Sequence, residues 1–195
     1  MKRSTCVGLF LFVPLAAAAQ VETYVIDPYH TIPHFFIEYH GFGTIPGRFD
    51  KTTGKFSIDR SARRGTLELN IETASVTTGD DARGGRPRSR DEHLRTADFF
   101  NAAEFPRMTF RSTGVKFNGD VPVEVEGQLT LLGTTRPLTL RIDRWLCKDH
   151  PIYKRFTCGG NASATLKRSE FRMKYGIPSV GDEVRLTTLF LGFRE

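Results

Sequence analysis

"GTLELNIETASV", residues 65–76, sets Leu67, Leu69 and Ile71 against Thr66, Glu68, Asn70 and Glu72. Side chains that change face at every residue mark a strand with one buried face. An amphipathic helix would bring its apolar residues back every three or four positions instead. "PLTLRIDRW", 137–145, repeats the alternation with Leu138, Leu140 and Ile142 against Thr139, Arg141 and Asp143. "MTFRSTGVKFNG", "VEVEGQLTLLG", "GNASATLKRSEF" and "EVRLTTLFLGFR" read as further strands. "HFFIEYHGFG", 34–43, puts Phe35, Ile37 and Tyr39 on one face and His34, Phe36, Glu38 and His40 on the other. Turn signals separate these runs at "KTTGK", "FNGDVP", "LGTTRP" and "PSVGDE". Many short strands joined by hairpins predict an all-β, antiparallel fold, either a sandwich or a closed barrel. Closure removes the sticky edges of an open sheet, and a barrel of about eight strands can hold one small ligand.

The N-terminus reads differently. "MKRSTCVGLFLFVPLAAAAQ" has Lys2 and Arg3, an apolar run from about Val7 to Leu15 and small residues up to Ala19. That is the layout of a secretory signal peptide over 1–19, which leaves a domain over 20–195 and a periplasmic destination. The apolar run is well short of the roughly 20 residues a membrane-spanning helix needs. Losing Lys2 and Arg3 takes the formal charge from +6 to +4, which is only mildly basic. Cys6 leaves with the leader, and Cys147 and Cys158 then form one disulfide in an oxidising compartment. A metal pair is the competing use of those cysteines. Their spacing is not C-x-x-C, and no histidine cluster accompanies them.

Helical pattern is confined to residues 88–103. "EHLRTADFFNAAEFPRMTF", 92–110, places the adjacent Phe99 and Phe100 among Glu92, His93, Arg95 and Asp98. Ahead of it, "GDDARGGRPRSRDEH" reads as a flexible loop in which Arg83, Arg86, Arg88 and Arg90 add a local positive field. As an RGG-like nucleic-acid segment it conflicts with export and modest charge, so no nucleic-acid partner is expected. Metal chemistry is expected nowhere else either. His34 and His40 share a strand face but lie roughly 20 Å apart on a straight strand, and His30 and Asp27 suit a hydrogen-bonded turn. A nucleophilic enzyme needs a serine or cysteine with a base and an orienting acid. There is no G-x-S-x-G, and the chain does not read as an enzyme.

Four ordered stretches carry a family resemblance: "YVIDPYHTIPHFFIEYHGFGTIPGRF", "RDEHLRTADFFNAAEFPRMTF", "VEGQLTLLGTTRPLTL" and "LKRSEFRMKYGIPSVGDEVRL". Together they run across nearly the whole exported chain, which thereby resembles the YceI-like family of exported, lipocalin-like proteins that bind polyisoprenoid or other long-chain lipids. The resemblance implies a closed barrel around an elongated apolar tunnel, with a short helical segment at its mouth. It makes Phe35, Ile37, Tyr39, Phe49, Leu67, Leu69, Ile71, Leu129, Leu131, Leu138 and Leu140 candidate wall residues. Phe99 and Phe100 become a plug or part of the core, and His93 and Arg95 candidates for the rim and for a lipid headgroup. Because both faces of some strands are apolar, periodicity alone leaves the tunnel face open. The implied partner is a long-chain lipid, an isoprenoid or a quinone-like one, with no other cofactor and with transient contact with a membrane surface. The pattern fixes no oligomeric state. Where the family usually has a histidine this chain has Tyr39; His40, one residue on, is expected on the opposite face. A ligand-free stress-response or interaction module is the reading from another class.

Overall fold

Alternating sequence becomes strand, and the bends between strands decide how the sheet closes. The computed structural model describes residues 21–195; the leader over 1–19, the start at Gln20 and Cys6 lie outside the described residues. Eleven strands are found among the described residues. They are β1 (Val21–Ile26), β2 (His34–Tyr39), β3 (Gly43–Phe49), β4 (Thr52–Asp59), β5 (Arg64–Glu72), β6 (Val76–Thr77), β7 (Arg107–Asn118), β8 (Val121–Leu131), β9 (Thr134–Asp149), β10 (Phe156–Lys167) and β11 (Val180–Arg194). Every pairing is antiparallel. The sheet runs β1-β4-β5-β7-β8-β9-β10-β11 and closes where β11 meets β1, which makes a barrel of eight strands rather than a sandwich.

The remaining strands continue the same ring. β11 pairs with β1 through Ile26↔Gly192 and with β2 through His34↔Thr187, so β1 and β2 run one after the other along a single neighbour. β3 pairs with β2, and β4 with β1, so β3 and β4 form one bent strand. β5 and β6 are bent in the same way, and β6 meets β3 at Phe49↔Val76. The polypeptide is thus an up-and-down meander, with its loops gathered at two ends.

"KTTGK" is not a turn. Thr52–Lys55 belong to β4, and the bend comes one step earlier, at Asp50 and Lys51. Gly54 sits in the strand because a Cβ there would lie 2.1 Å from the Glu68 carbonyl oxygen. Its glycine permits a close backbone approach, not a reversal. Regular helix is shorter than the sequence suggests: α1 covers Arg90–Leu94, and 95–105 is a chain of turns.

The two ends of the barrel differ. One is filled by Tyr24, Ile26, Phe56, Ile58 and Cys158, with Tyr24 and Phe56 stacked at 4.7 Å. Cys147 and Cys158 face each other across β9 and β10, and their sulfurs are bonded at 2.02 Å. Leu67 and Leu69 bridge this cluster to a larger one around Phe35, Phe49, Phe100 and Phe110. Beyond that bridge the interior opens. No described helix is long and apolar enough to cross a membrane.

Candidate functional site

Inward-facing side chains at the open end enclose a cavity of about 900 Å³. β2 supplies Phe35, Ile37 and Tyr39, and β3 supplies Ile45 and Phe49. Leu69 and Ile71 come from β5, Leu129 and Leu131 from β8, and Leu138 and Leu140 from β9. Within each strand these residues lie two or four apart, so a single face of each strand supplies them. Leu67 is the exception among the candidate wall residues. One step further along β5, it packs at the boundary with the filled end and does not line the cavity.

The wall also takes Met108 and Phe110 from β7, Leu166 from β10, and Val184 and Leu186 from β11, which the sequence reading did not single out. The alternation in "RMTFRS" was the available signal for the first two. On β10 and β11 threonine and alanine interrupt the alternation, and apolar residues fall on both faces.

Phe99 and Phe100 both line the cavity. Phe100 is buried, edge-on to Phe49 at 5.2 Å and 6.3 Å from Phe35. Phe99 is only partly buried and meets His93 at 4.9 Å and Tyr175 at 5.3 Å. The first ring joins the inner wall, and the second stands at the threshold.

Over the mouth lies the segment 78–95, and its chemistry is that of a clasp. Ser89 accepts from the Glu92 N–H while Glu92 accepts from the Ser89 N–H, a reciprocal cap that starts α1. Buried Asp91 accepts from Thr77 Oγ1 (2.7 Å), Thr78 N (2.8 Å) and Thr78 Oγ1 (2.6 Å), tying α1 to the end of β6. Arg95 is no rim residue: it donates to the carbonyls of Ala74 (2.9 Å) and Val76 (2.8 Å) and stays off the cavity. His93 does face the cavity, and its Nε2 lies 2.8 Å from Asp98.

The basic loop carries no bare positive field. Arg83 grips Glu92 (2.7 Å), Arg86 grips Asp80 (2.6 Å), Arg88 reaches Asp98 (3.2 Å), and Arg90 lies 3.7 Å from Asp80. The hydrogen bond from Arg83, joined by that from the Ser89 N–H, lowers the Glu92 carboxyl to about 2. Arg86 depresses Asp80, and His93 followed by Arg88 depresses Asp98. Acids interleaved with the arginines cancel the charge locally.

The opposite lip is held by Arg168, 2% exposed, whose guanidinium donates to the carbonyls of Gly181, Met173, Tyr175 and Val180 at 2.7–3.2 Å. Burial lowers its affinity for the proton, and nearby Asp182 offsets that in part. His40 departs from the alternation expected of it. β2 ends at Tyr39, and His40 takes a left-handed turn (φ 51°) that sets its ring against Tyr39 at 4.4 Å. Both rings line the mouth. His34 Nδ1 donates to the Ile32 carbonyl, and His30 is bound to Asp27 in a turn. Among the described residues, no three of histidine, cysteine, aspartate and glutamate converge on one point.

A family model described as the YceI-like domain matches residues 24–190. A UPF0312 protein of Pseudomonas aeruginosa is 33% identical over 200 aligned residues that cover all of both chains. One from Vibrio cholerae is 35% identical over 146 residues, 73% of each chain. Among solved structures, Burkholderia cenocepacia BcnA superposes with a TM-score of 0.69 at 20% identity, covering 85% of this chain and 98% of its own. A polyisoprenoid binding domain from Saccharophagus degradans gives 0.59 at 18%, covering 88% and 98%.

Proposed function

The chain belongs to the YceI-like domain family, and from that premise we propose that it is a periplasmic binding protein that holds a polyisoprenoid or other long-chain lipid for carriage or sequestration. The observation that carries this reading is the cavity of about 900 Å³, walled chiefly by apolar strand residues and covered by the segment 78–95. At about 30 Å³ per water-sized group, it offers room for about thirty such groups, or about six five-carbon units. Each buried methylene contributes roughly 0.8 kcal/mol, so apolar contact alone suffices to hold the tail.

The head end would sit by His93, Tyr39 and Tyr175. Because Arg83, Arg86 and Arg88 are already paired, a neutral head such as a quinone or a hydroxyl suits the mouth better than a pyrophosphate. The wall is chiefly apolar, which favours storage over catalysis. Export through the leader over 1–19 would place the protein where such lipids must cross an aqueous gap.

Mass spectrometry of an organic extract of gently purified protein tests this. We expect a prenyl or comparable long-chain lipid in near-stoichiometric amount. Protein that carries none, and that after delipidation takes up no polyprenol from detergent micelles, would leave the ligand-free interaction module as the better reading.

A further inference from the structure

The hairpin between β2 and β3 ends in Tyr39-His40-Gly41-Phe42-Gly43, and Phe42 is 91% exposed. The turn does not need this ring, because the Phe42 N–H closes it onto the Tyr39 carbonyl at 3.0 Å. Gly41 (φ +73°) and Gly43 (φ +152°) adopt backbone that side chains disfavour, with open space around both. They lift Phe42 to an apex clear of the barrel. Beside it Tyr39 is 43% exposed, and on the adjoining lip, which the hairpin meets where the His40 N–H donates to the Ser179 carbonyl at 2.7 Å, Tyr175 is 51% exposed; both also line the cavity.

The adjoining lip alternates. Met173 and Tyr175 face the cavity, while Arg172 and Lys174 are exposed outside it. The lid arginines are paired with Glu92, Asp80 and Asp98. Arg172 and Lys174, by contrast, make no ion pair among the described residues. Glu38 and Glu170 are exposed on the same two segments, so the local excess of positive charge is small.

We infer that these two lips are a bilayer-docking surface, with Phe42 as the inserting side chain. The ring enters the boundary between headgroups and acyl chains, Tyr39 and Tyr175 lie at headgroup level, and Arg172 and Lys174 contact anionic headgroups. Amphipathic rings and cations are the groups that gather at a membrane interface. A single apolar apex over a cavity mouth fits a membrane better than a protein partner, which would want a broad contiguous apolar patch. The inference rests on the lipid-binding reading: a tail of low solubility needs a route into the cavity that avoids water, and a mouth pressed on the bilayer supplies one.

The test is co-sedimentation of the full exported chain with vesicles of phosphatidylcholine alone and of phosphatidylcholine with phosphatidylglycerol. Wild-type protein should bind both and prefer the anionic ones. Phe42→Ala should lower partitioning at least about tenfold on both vesicles, as expected for losing one buried phenylalanine. Lys174→Gln, which removes one positive charge, should lose about fivefold on anionic vesicles only. In Phe42→Trp the new indole should shift its emission to the blue on vesicle addition, whereas the single native tryptophan, Trp145, lies in the filled end.

The inference is overturned if wild-type protein binds neither vesicle, or if Phe42→Ala binds as wild type does. It is equally overturned if Phe42→Ala alters only self-association, which would make the lip a contact between two copies. Polyprenol uptake from detergent micelles is measured alongside. Phe42→Ala should leave it unchanged, and its absence in wild-type protein would count against the lipid-binding reading itself, separately from docking.

Discussion

Phe99 and Phe100 are neighbours in the chain with different tasks. Phe100 is enclosed by Phe35 and Phe49, whereas Phe99 spans the gap between His93 and Tyr175. Both line the cavity, so each truncation should cost less than the roughly 3–5 kcal/mol of a fully packed phenylalanine. Phe99→Ala/Phe100→Ala should stay folded yet lose bound lipid, read by urea unfolding of delipidated protein beside mass spectrometry of the loaded form. Arg168 is the opposite case. Its charge is spent on carbonyls rather than on a carboxylate, and those carbonyls belong to the lip at 173–181. Arg168→Met should therefore lower stability by about 3 kcal/mol, because buried acceptors lose their donor. Amide exchange should rise along 172–181 before it rises in the strands.

Two elements carry their own stability. In the lid, the lowered carboxyl of Glu92, at about 2, contributes stability that is fully present above its ordinary range near 4.5 and is lost as pH falls from there toward about 2. Asp80 and Asp98, also depressed, act in the same direction. Amide exchange over 78–98 should accelerate in that acid window while β8 and β9 stay protected, and Glu92→Gln should be loosened already at neutral pH. At the filled end, the disulfide closes a loop of 11 residues between directly opposed strand positions. Cys147→Ser/Cys158→Ser should lose roughly 2–3 kcal/mol in urea unfolding. The lipid should be retained, because the link lies in the cluster beneath the cavity rather than on its wall.

For the whole barrel, filling one end and hollowing the other trades packing for capacity. A lipid that binds only the folded state returns part of that stability. At a ligand concentration of 100 times Kd the gain is about 2.7 kcal/mol. Delipidation should then lower the melting midpoint by roughly 5–10 °C for a chain of this size, read by calorimetry before and after extraction. A midpoint unmoved by extraction would count against an occupied cavity.

The sequence by itself marked seven of the eleven described strands, β2, β5 and β7 to β11, and the pairing of Cys147 with Cys158, because these follow from period-two alternation and cysteine number; β1, β3, β4 and β6 are short or interrupted by glycine and proline and did not stand out. It also marked most of the wall. Leu69, Ile71, Leu138 and Leu140 alternate so regularly that any closed barrel brings them to one side. Only the tertiary structure decided which side faces the hollow, since closure and not periodicity defines an inside. It also decided where the hollow stops: Leu67 has the pattern of its neighbours but lies one step too deep. The basic loop shows the same limit for charge. Arg83, Arg86 and Arg88 are conspicuous in the sequence, but a field depends on the distance between opposite charges. Only the folded lid brings Glu92, Asp80 and Asp98 close enough to cancel it.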